Sequence, residues 1–181
     1  MIASPLRRSF LAVLPIRVAG DPILRHKTRR VKVIDASLQR LIDDMIDTMR
    51  AAPGVGLAAP QVGSPLRIAV IGLPEQEVIV LVNPEIVRRS GERLVEEGCL
   101  SVPGYVAEIN RSQSVAVKAL DRHGRPLRVK AKDDLLAQVL EHEIDHLNGV
   151  LYIDYLESME QLVKLEPGEP APQGTKREGG L

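Results

Sequence analysis

The hydrophobic period of this chain changes twice, and the order of the changes limits the folds open to it. Over residues 36–50 it is helical: Leu38, Leu41, Ile42, Met45, Ile46 and Met49 share one face, with Asp43, Asp44 and Arg50 elsewhere. Ala51-Ala52-Pro53-Gly54 ends that helix. A loop, GVGLAAPQVG (54–63), follows, and the pattern then turns to strands. RIAVIGL (67–73) and EVIVLVN (77–83) are β-rich runs split by a short turn at Pro74. SVAVKAL (114–120) and LRVKA (127–131) alternate around DRHGRP, a hairpin loop. From about Asp133 to His146 the helical period returns, with Asp133 or Asp134 as cap and Asn148-Gly149 as closure. Helix, strands, helix is an α+β order, not the alternation that builds a parallel sheet. It predicts an antiparallel or mixed sheet packed around the second helix.

A chain of 181 residues suggests one domain, placed at 13–165. Residues 1–12 read as a leader or irregular extension. Arg7 and Arg8 before FLAVL imitate a signal peptide, but the apolar run is too short and Pro15 interrupts it. Residues 166–181, EPGEPAPQGTKREGGL, offer almost nothing to bury and predict a disordered tail. No run approaches the roughly 20 apolar residues of a membrane span. The single cysteine, Cys99, precludes an intramolecular disulfide and fits a reducing compartment, so a cytoplasmic location without membrane contact is expected. Lys plus Arg and Asp plus Glu number 24 each, and Trp is absent; neither points to nucleic acid as a partner.

The chemistry centres on HEIDH, residues 142–146, inside the second helix. His142 and His146 stand four apart, so both imidazoles leave one face one turn apart and can reach one metal ion. Glu143 is one position round and can act as a general base without being a ligand. Two ordinary helix histidines are the bland alternative; the register, the intervening Glu and the caps argue against it. A catalytic site usually takes a third protein ligand and leaves a fourth position for water. Tyr152 stands where a metzincin protease has its third His, and Glu166, at a thermolysin-like distance, opens the Pro/Gly tail. Cys99, in Glu96-Glu97-Gly98-Cys99-Leu100-Ser101, is the remaining candidate. A thiolate beside two imidazoles suits Fe²⁺ or Zn²⁺. Two rivals stay open: an HExxH metallopeptidase using Glu166 or another carboxylate, and a closed, non-catalytic metal site. In the loop, Gly54 and Gly56 let backbone approach a ligand and Gln61 offers an amide donor, although a tight connection would need glycine for geometry alone.

GVGLAAPQ (54–61), EGCLS (97–101) and HEIDH (142–146), in that order and at these separations, closely resemble the peptide deformylase family. The likeness runs from about Leu14 through Leu156 and takes in LPIRVAGDPILR and HLNGVLYID. It implies an α+β fold with the HExxH helix packed between sheets, and an amide hydrolase that removes the N-formyl group from N-formylmethionine of newly made polypeptides. The partners it implies are N-formylmethionyl peptides and nascent chains. The cofactor is one divalent metal ion, Fe²⁺ natively, with Zn²⁺, Ni²⁺ or Co²⁺ able to replace it. By position it makes Cys99, His142 and His146 the ligands and Glu143 the catalytic carboxylate. Gln61 and the Leu100 N–H would face the oxyanion, while Val55, Gly56 and Gly98 would hold the substrate peptide. Leu135, Val139 and His142 would line the methionine pocket, and Glu97 would orient the site with Arg111 as its partner. Some bacterial members end in a long helix linked to ribosome docking; helical potential here stops by about Leu165, so ribosome association is not carried over.

Overall fold

The computed structural model describes residues 12–52 and 54–166. Of the expected N-terminal extension and C-terminal tail, all but Ala12 and Glu166 lie outside them. Among the described residues there are two α-helices, eight strands and four short 3₁₀ turns.

Helix α1 spans Ala36–Ala51, close to the range its period predicted, and Asp35 caps it by accepting from the Leu38 N–H at 2.9 Å. Five strands form one antiparallel sheet in the order β1-β2-β3-β6-β7: β1 (Gly56–Ala58), β2 (Ile68–Ile71), β3 (Ile79–Ser90), β6 (Ser114–Leu120) and β7 (Pro126–Lys132). Neighbours along β2 and β3 point to opposite faces. Ile68, Val70, Val80 and Val82 meet Ile42, Met45 and Met49 of α1. Ile71 and Leu81, with Val115, Val117 and Ala131, meet Ala137, Val139, Leu140 and Ile144 of the second helix, α2 (Leu135–Leu147). A strand covered on both faces needs no polar alternation, which is why RIAVIGL is apolar throughout its paired length.

The remaining strands correct the expectation of a single sheet. β4 (Arg93–Cys99), β5 (Val102–Arg111) and β8 (Val163–Lys164) form a separate three-stranded antiparallel sheet. Its apolar alternation is broken because buried positions carry the charges of Glu97 and Arg111. β3 also runs seven residues past its predicted end at Asn83, through Pro84. A register shift between Val82 and Glu85 absorbs the proline, which has no N–H to pair. Part of the expected loop at 54–63 is strand β1, followed by a 3₁₀ turn at Ala59–Val62.

Between the two expected caps of α2, the structure selects Asp134, whose side chain accepts from the Ala137 N–H at 2.8 Å. Gly149, just past the C-cap Asn148, has φ +79°, and a Cβ there would stand 2.6 Å from the Arg25 carbonyl oxygen, so glycine is required twice over. Beyond it come 3₁₀ turns at Tyr152–Tyr155 and Met159–Gln161. No helix among the described residues is long and apolar enough to cross a membrane.

Candidate metal centre

α2 is amphipathic in an unusual sense: its second face is polar yet also buried. Gln138, Glu141, Glu143, Asp145 and His146 are all shielded from solvent. That face meets β4 and β5, through Gln138 Nε2 to the Glu96 carbonyl (3.0 Å), Arg111 to Asp145, and the Ser112 N–H to Glu141 (2.8 Å). The HEIDH turn is therefore held between two sheets, with the end of β4 beside it. A register shift between Gly98 and Cys99 brings the strand to its turn there, and bulges of this kind re-aim side chains.

The three expected ligands converge. Cys99 Sγ lies 3.1 Å from His146 Nε2, and the two histidine Nε2 atoms are 3.2 Å apart. All three donor atoms fall within 4.8 Å of one another. Two imidazole nitrogens bound to one tetrahedral ion at ordinary length stand about 3.3 Å apart. The donor set and its spacing thus fit a divalent cation, and three protein ligands leave a coordination position over. Burial opposes a charged thiolate, but His146 and His142 outweigh it and hold Cys99 well below the usual thiol range. Ser101 N–H also points at the sulfur, at 3.3 Å.

Behind His142 lies a buried network. His142 Nδ1 donates to Glu97 Oε1 at 2.5 Å, which turns the Nε2 lone pair toward the other donors. Arg111 grips Glu97 with both Nε (2.9 Å) and Nη2 (2.6 Å), so the inferred pairing of these residues is present. Its Nη1 reaches Asp145 Oδ2 at 2.6 Å, and Tyr155 donates to the same oxygen at 2.9 Å. Burial would raise the Glu97 carboxyl, but His142 and Arg111 prevail and draw it down to about 2. Sequence reasoning missed Gln138, Asp145 and Tyr155. The signal for the first two was available: Gln138, His142 and Asp145 form a polar stripe at i, i+4 and i+7 of a helix whose other face is apolar.

A cleft of about 80 Å³ opens onto this centre, lined by Val55, Gly56, Gln61, Gly98, Leu100, Leu135, Val139 and Glu143 together with Cys99 and His142. Every expected site residue except His146 is on that wall. Glu143 is 3% exposed, and burial pushes its carboxyl up to about 7. Its Oε2 has no protein partner. A Cβ on Gly56 would overlap this carboxylate, so here glycine serves a protein side chain. Gln61 has a fixed orientation: Oε1 accepts from the Ala58 N–H (2.8 Å), which leaves Nε2 to donate to Ser101 Oγ (3.2 Å) and toward Cys99 Sγ (3.7 Å).

A family model described as polypeptide deformylase matches residues 13–162. The peptide deformylase of Dehalococcoides mccartyi (strain CBDB1) is 51% identical over 164 residues, covering 90% of this chain and 98% of that protein. That of Rhizobium meliloti is 46% identical, covering 83% and 89%. Among solved structures, the peptide deformylase of Legionella pneumophila superposes with a TM-score of 0.80 at 49% identity, over 83% of this chain and 89% of that one. The Synechococcus elongatus enzyme, solved in complex with actinonin, gives 0.79 at 38% identity over 84% and 90%. With the donor triad in place and these likenesses spanning nearly its whole described length, the chain belongs to the polypeptide deformylase family.

Proposed function

We propose that this protein is a peptide deformylase that hydrolyses the N-formyl group of N-formylmethionine on newly made polypeptides and releases formate. The observation that carries this reading is one cleft holding the Cys99–His142–His146 triad, an unpartnered Glu143 carboxylate oxygen and an oriented Gln61 amide. The working unit is a single catalytic domain over residues 13–165, acting in the cytoplasm on nascent chains.

Cys99, His142 and His146 would hold a divalent ion, Fe²⁺ natively with Zn²⁺, Ni²⁺ or Co²⁺ as substitutes, which when bound would supply a Lewis acid for the water and the formyl carbonyl. Glu143 accepts the proton of the attacking water and delivers it to the departing amide nitrogen. A carboxyl held near neutrality serves both directions of that transfer. Gln61 Nε2 and the Leu100 N–H donate to the oxyanion as charge develops. Val55, Gly56 and Gly98 align the peptide, while Leu135 and Val139 receive the methionine side chain against the edge of His142. Glu97 and Arg111 hold that ring still.

The metallopeptidase alternative is not favoured. Among the described residues the group around the two histidines contains Cys99 and no carboxylate ligand. A closed structural site would need a fourth strong protein ligand, and this group has three members. The deciding assay measures formate released from formyl-Met peptides by anaerobically prepared or Ni²⁺-loaded enzyme. The expected outcome is rapid release, far slower reaction with acetyl-Met peptides, and inhibition by actinonin. Cleavage of internal peptide bonds without formate, from enzyme confirmed to hold its metal, would overturn the reading.

A further inference from the structure

The two histidines of the triad are supported differently. His142 is oriented by Glu97, whereas His146 Nδ1 is buried without a hydrogen-bond partner. A metal-binding imidazole normally donates its other N–H to a carboxylate, carbonyl or water. No protein group orients the His146 ring through Nδ1, and the protein contacts that fix this residue are found at the backbone beside it.

Arg67, just before β2, is 7% exposed, and each of its protein acceptors is neutral. Nε donates to the Pro84 carbonyl (3.1 Å). Nη1 donates to the Leu147 carbonyl (3.1 Å) and to Asn148 Oδ1 (3.0 Å), with Thr28 Oγ1 at 3.5 Å. Leu147 follows His146 directly and is the last residue of α2, and its carbonyl also accepts from Thr28 N–H (3.0 Å) and Oγ1 (2.8 Å). No carboxylate hydrogen-bonds this buried cation, although Glu85 acts on it electrostatically, and its guanidinium sits where a helix end carries negative partial charge. The same side chain reaches Pro84 in the irregular segment of β3, so it ties the end of the metal-binding helix to the five-stranded sheet.

We infer that Arg67 is a positioning residue for the metal centre, clamping the last turn of α2 so that the His146 ring, whose Nδ1 no protein group holds, stays aimed at Cys99 and His142. The inference rests on the metal-site reading above. It predicts that Arg67→Met binds metal less firmly than its loss of stability alone explains, because the helix end gains freedom where a ligand is attached.

The test loads wild type, Arg67→Met and Ile42→Ala with Co²⁺, and follows metal loss to a chelator, the visible spectrum and kcat with KM. Ile42 lies on the buried face of α1 and serves as a destabilised control outside the α2 end. Removing support of this kind typically weakens metal binding by roughly 10–100-fold. Arg67→Met is therefore expected to lose Co²⁺ at least about tenfold faster than Ile42→Ala, with an altered ligand-field spectrum, and to lose kcat rather than KM at saturating metal. Equal loss rates and an unchanged spectrum would overturn the inference. Arg67→Lys, which keeps the charge but not the fork, carries the same comparison if the methionine variant is insoluble. Failure of the wild type to bind Co²⁺ would instead overturn the metal-site reading, so the two failures are distinguishable.

Discussion

Gly56→Ala offers a direct test of how the acid–base group is held. Gly56 lies in β1 and is not among the residues with positive φ, so alanine suits its backbone. Space is the obstacle. A Cβ built there stands 2.9 Å from both Glu143 Cδ and Val139 Cγ1 and overlaps the nearer carboxylate oxygen. Non-bonded carbon contacts settle near about 3.5–4.0 Å, so the carboxylate must retreat by about 1 Å. A misplacement of that size costs on the order of 10²-fold in rate. The stability cost of overpacking, about 1–3 kcal/mol, is partly offset by about 0.4–1 kcal/mol from the stiffer unfolded chain. The variant should thus fold, retain metal and lose about two orders of magnitude in kcat for formate release. Gly72→Ala is the control, because its added Cβ meets the flexible end of Met49. It should lose some stability and keep kcat. Full turnover by metal-loaded Gly56→Ala would refute the claim that β1 fixes Glu143.

Glu143→Gln keeps shape and removes the base, so metal analysis should find the ion retained while turnover falls by at least about 10²-fold; loss of metal would reassign Glu143 as a ligand. Glu97→Gln breaks a buried ion pair, and unfolding should show a loss of about 3–5 kcal/mol, toward the lower end because Arg111 keeps Asp145; an unchanged midpoint would show that the network does not stabilise the fold. Gln61→Ala should lower kcat by about 10²–10³-fold with little change in KM. It also strands the Ala58 N–H, at about 1–3 kcal/mol of stability; unchanged kcat would leave the glycine loop a structural connection.

These residues also show where the sequence was readable. α1 and α2 were legible because Leu38, Ile42, Met45 and Met49, and likewise Val139, Leu140 and Leu147, repeat at helical spacing and are buried. β4 and β5 were not, because pattern reading equates charge with exposure and Glu97 and Arg111 are 3% and 4% exposed. Residues Glu85–Ser90 of β3 were lost to Pro84, which signals a strand end unless a register shift accommodates it. At the site, the ligand spacing in HEIDH was visible because a helix converts sequence separation into direction. The convergence of Cys99, 43 positions before His142, was reached by elimination and by resemblance, since no local rule encodes it. Arg67 was invisible for a related reason: its partners at residues 28, 84, 147 and 148 meet only through the tertiary fold.

The two carboxylates nearest the triad explain why the network and the cleft belong to one design. Glu97 and Glu143 are each 3% exposed, so burial disfavours ionisation of both. Glu97 accepts from His142 and twice from Arg111, and is held ionised at about 2. Glu143 faces the cleft with Oε2 unpartnered, and burial leaves it at about 7. Neighbouring donors, rather than depth, separate their roles. The one saturated with donors can only orient, while the one without them can exchange a proton near neutral pH. Arg111 keeps that division sharp, because its one positive charge pairs with both Glu97 and Asp145 and so offsets part of the Glu97 charge that pushes the Glu143 carboxyl up.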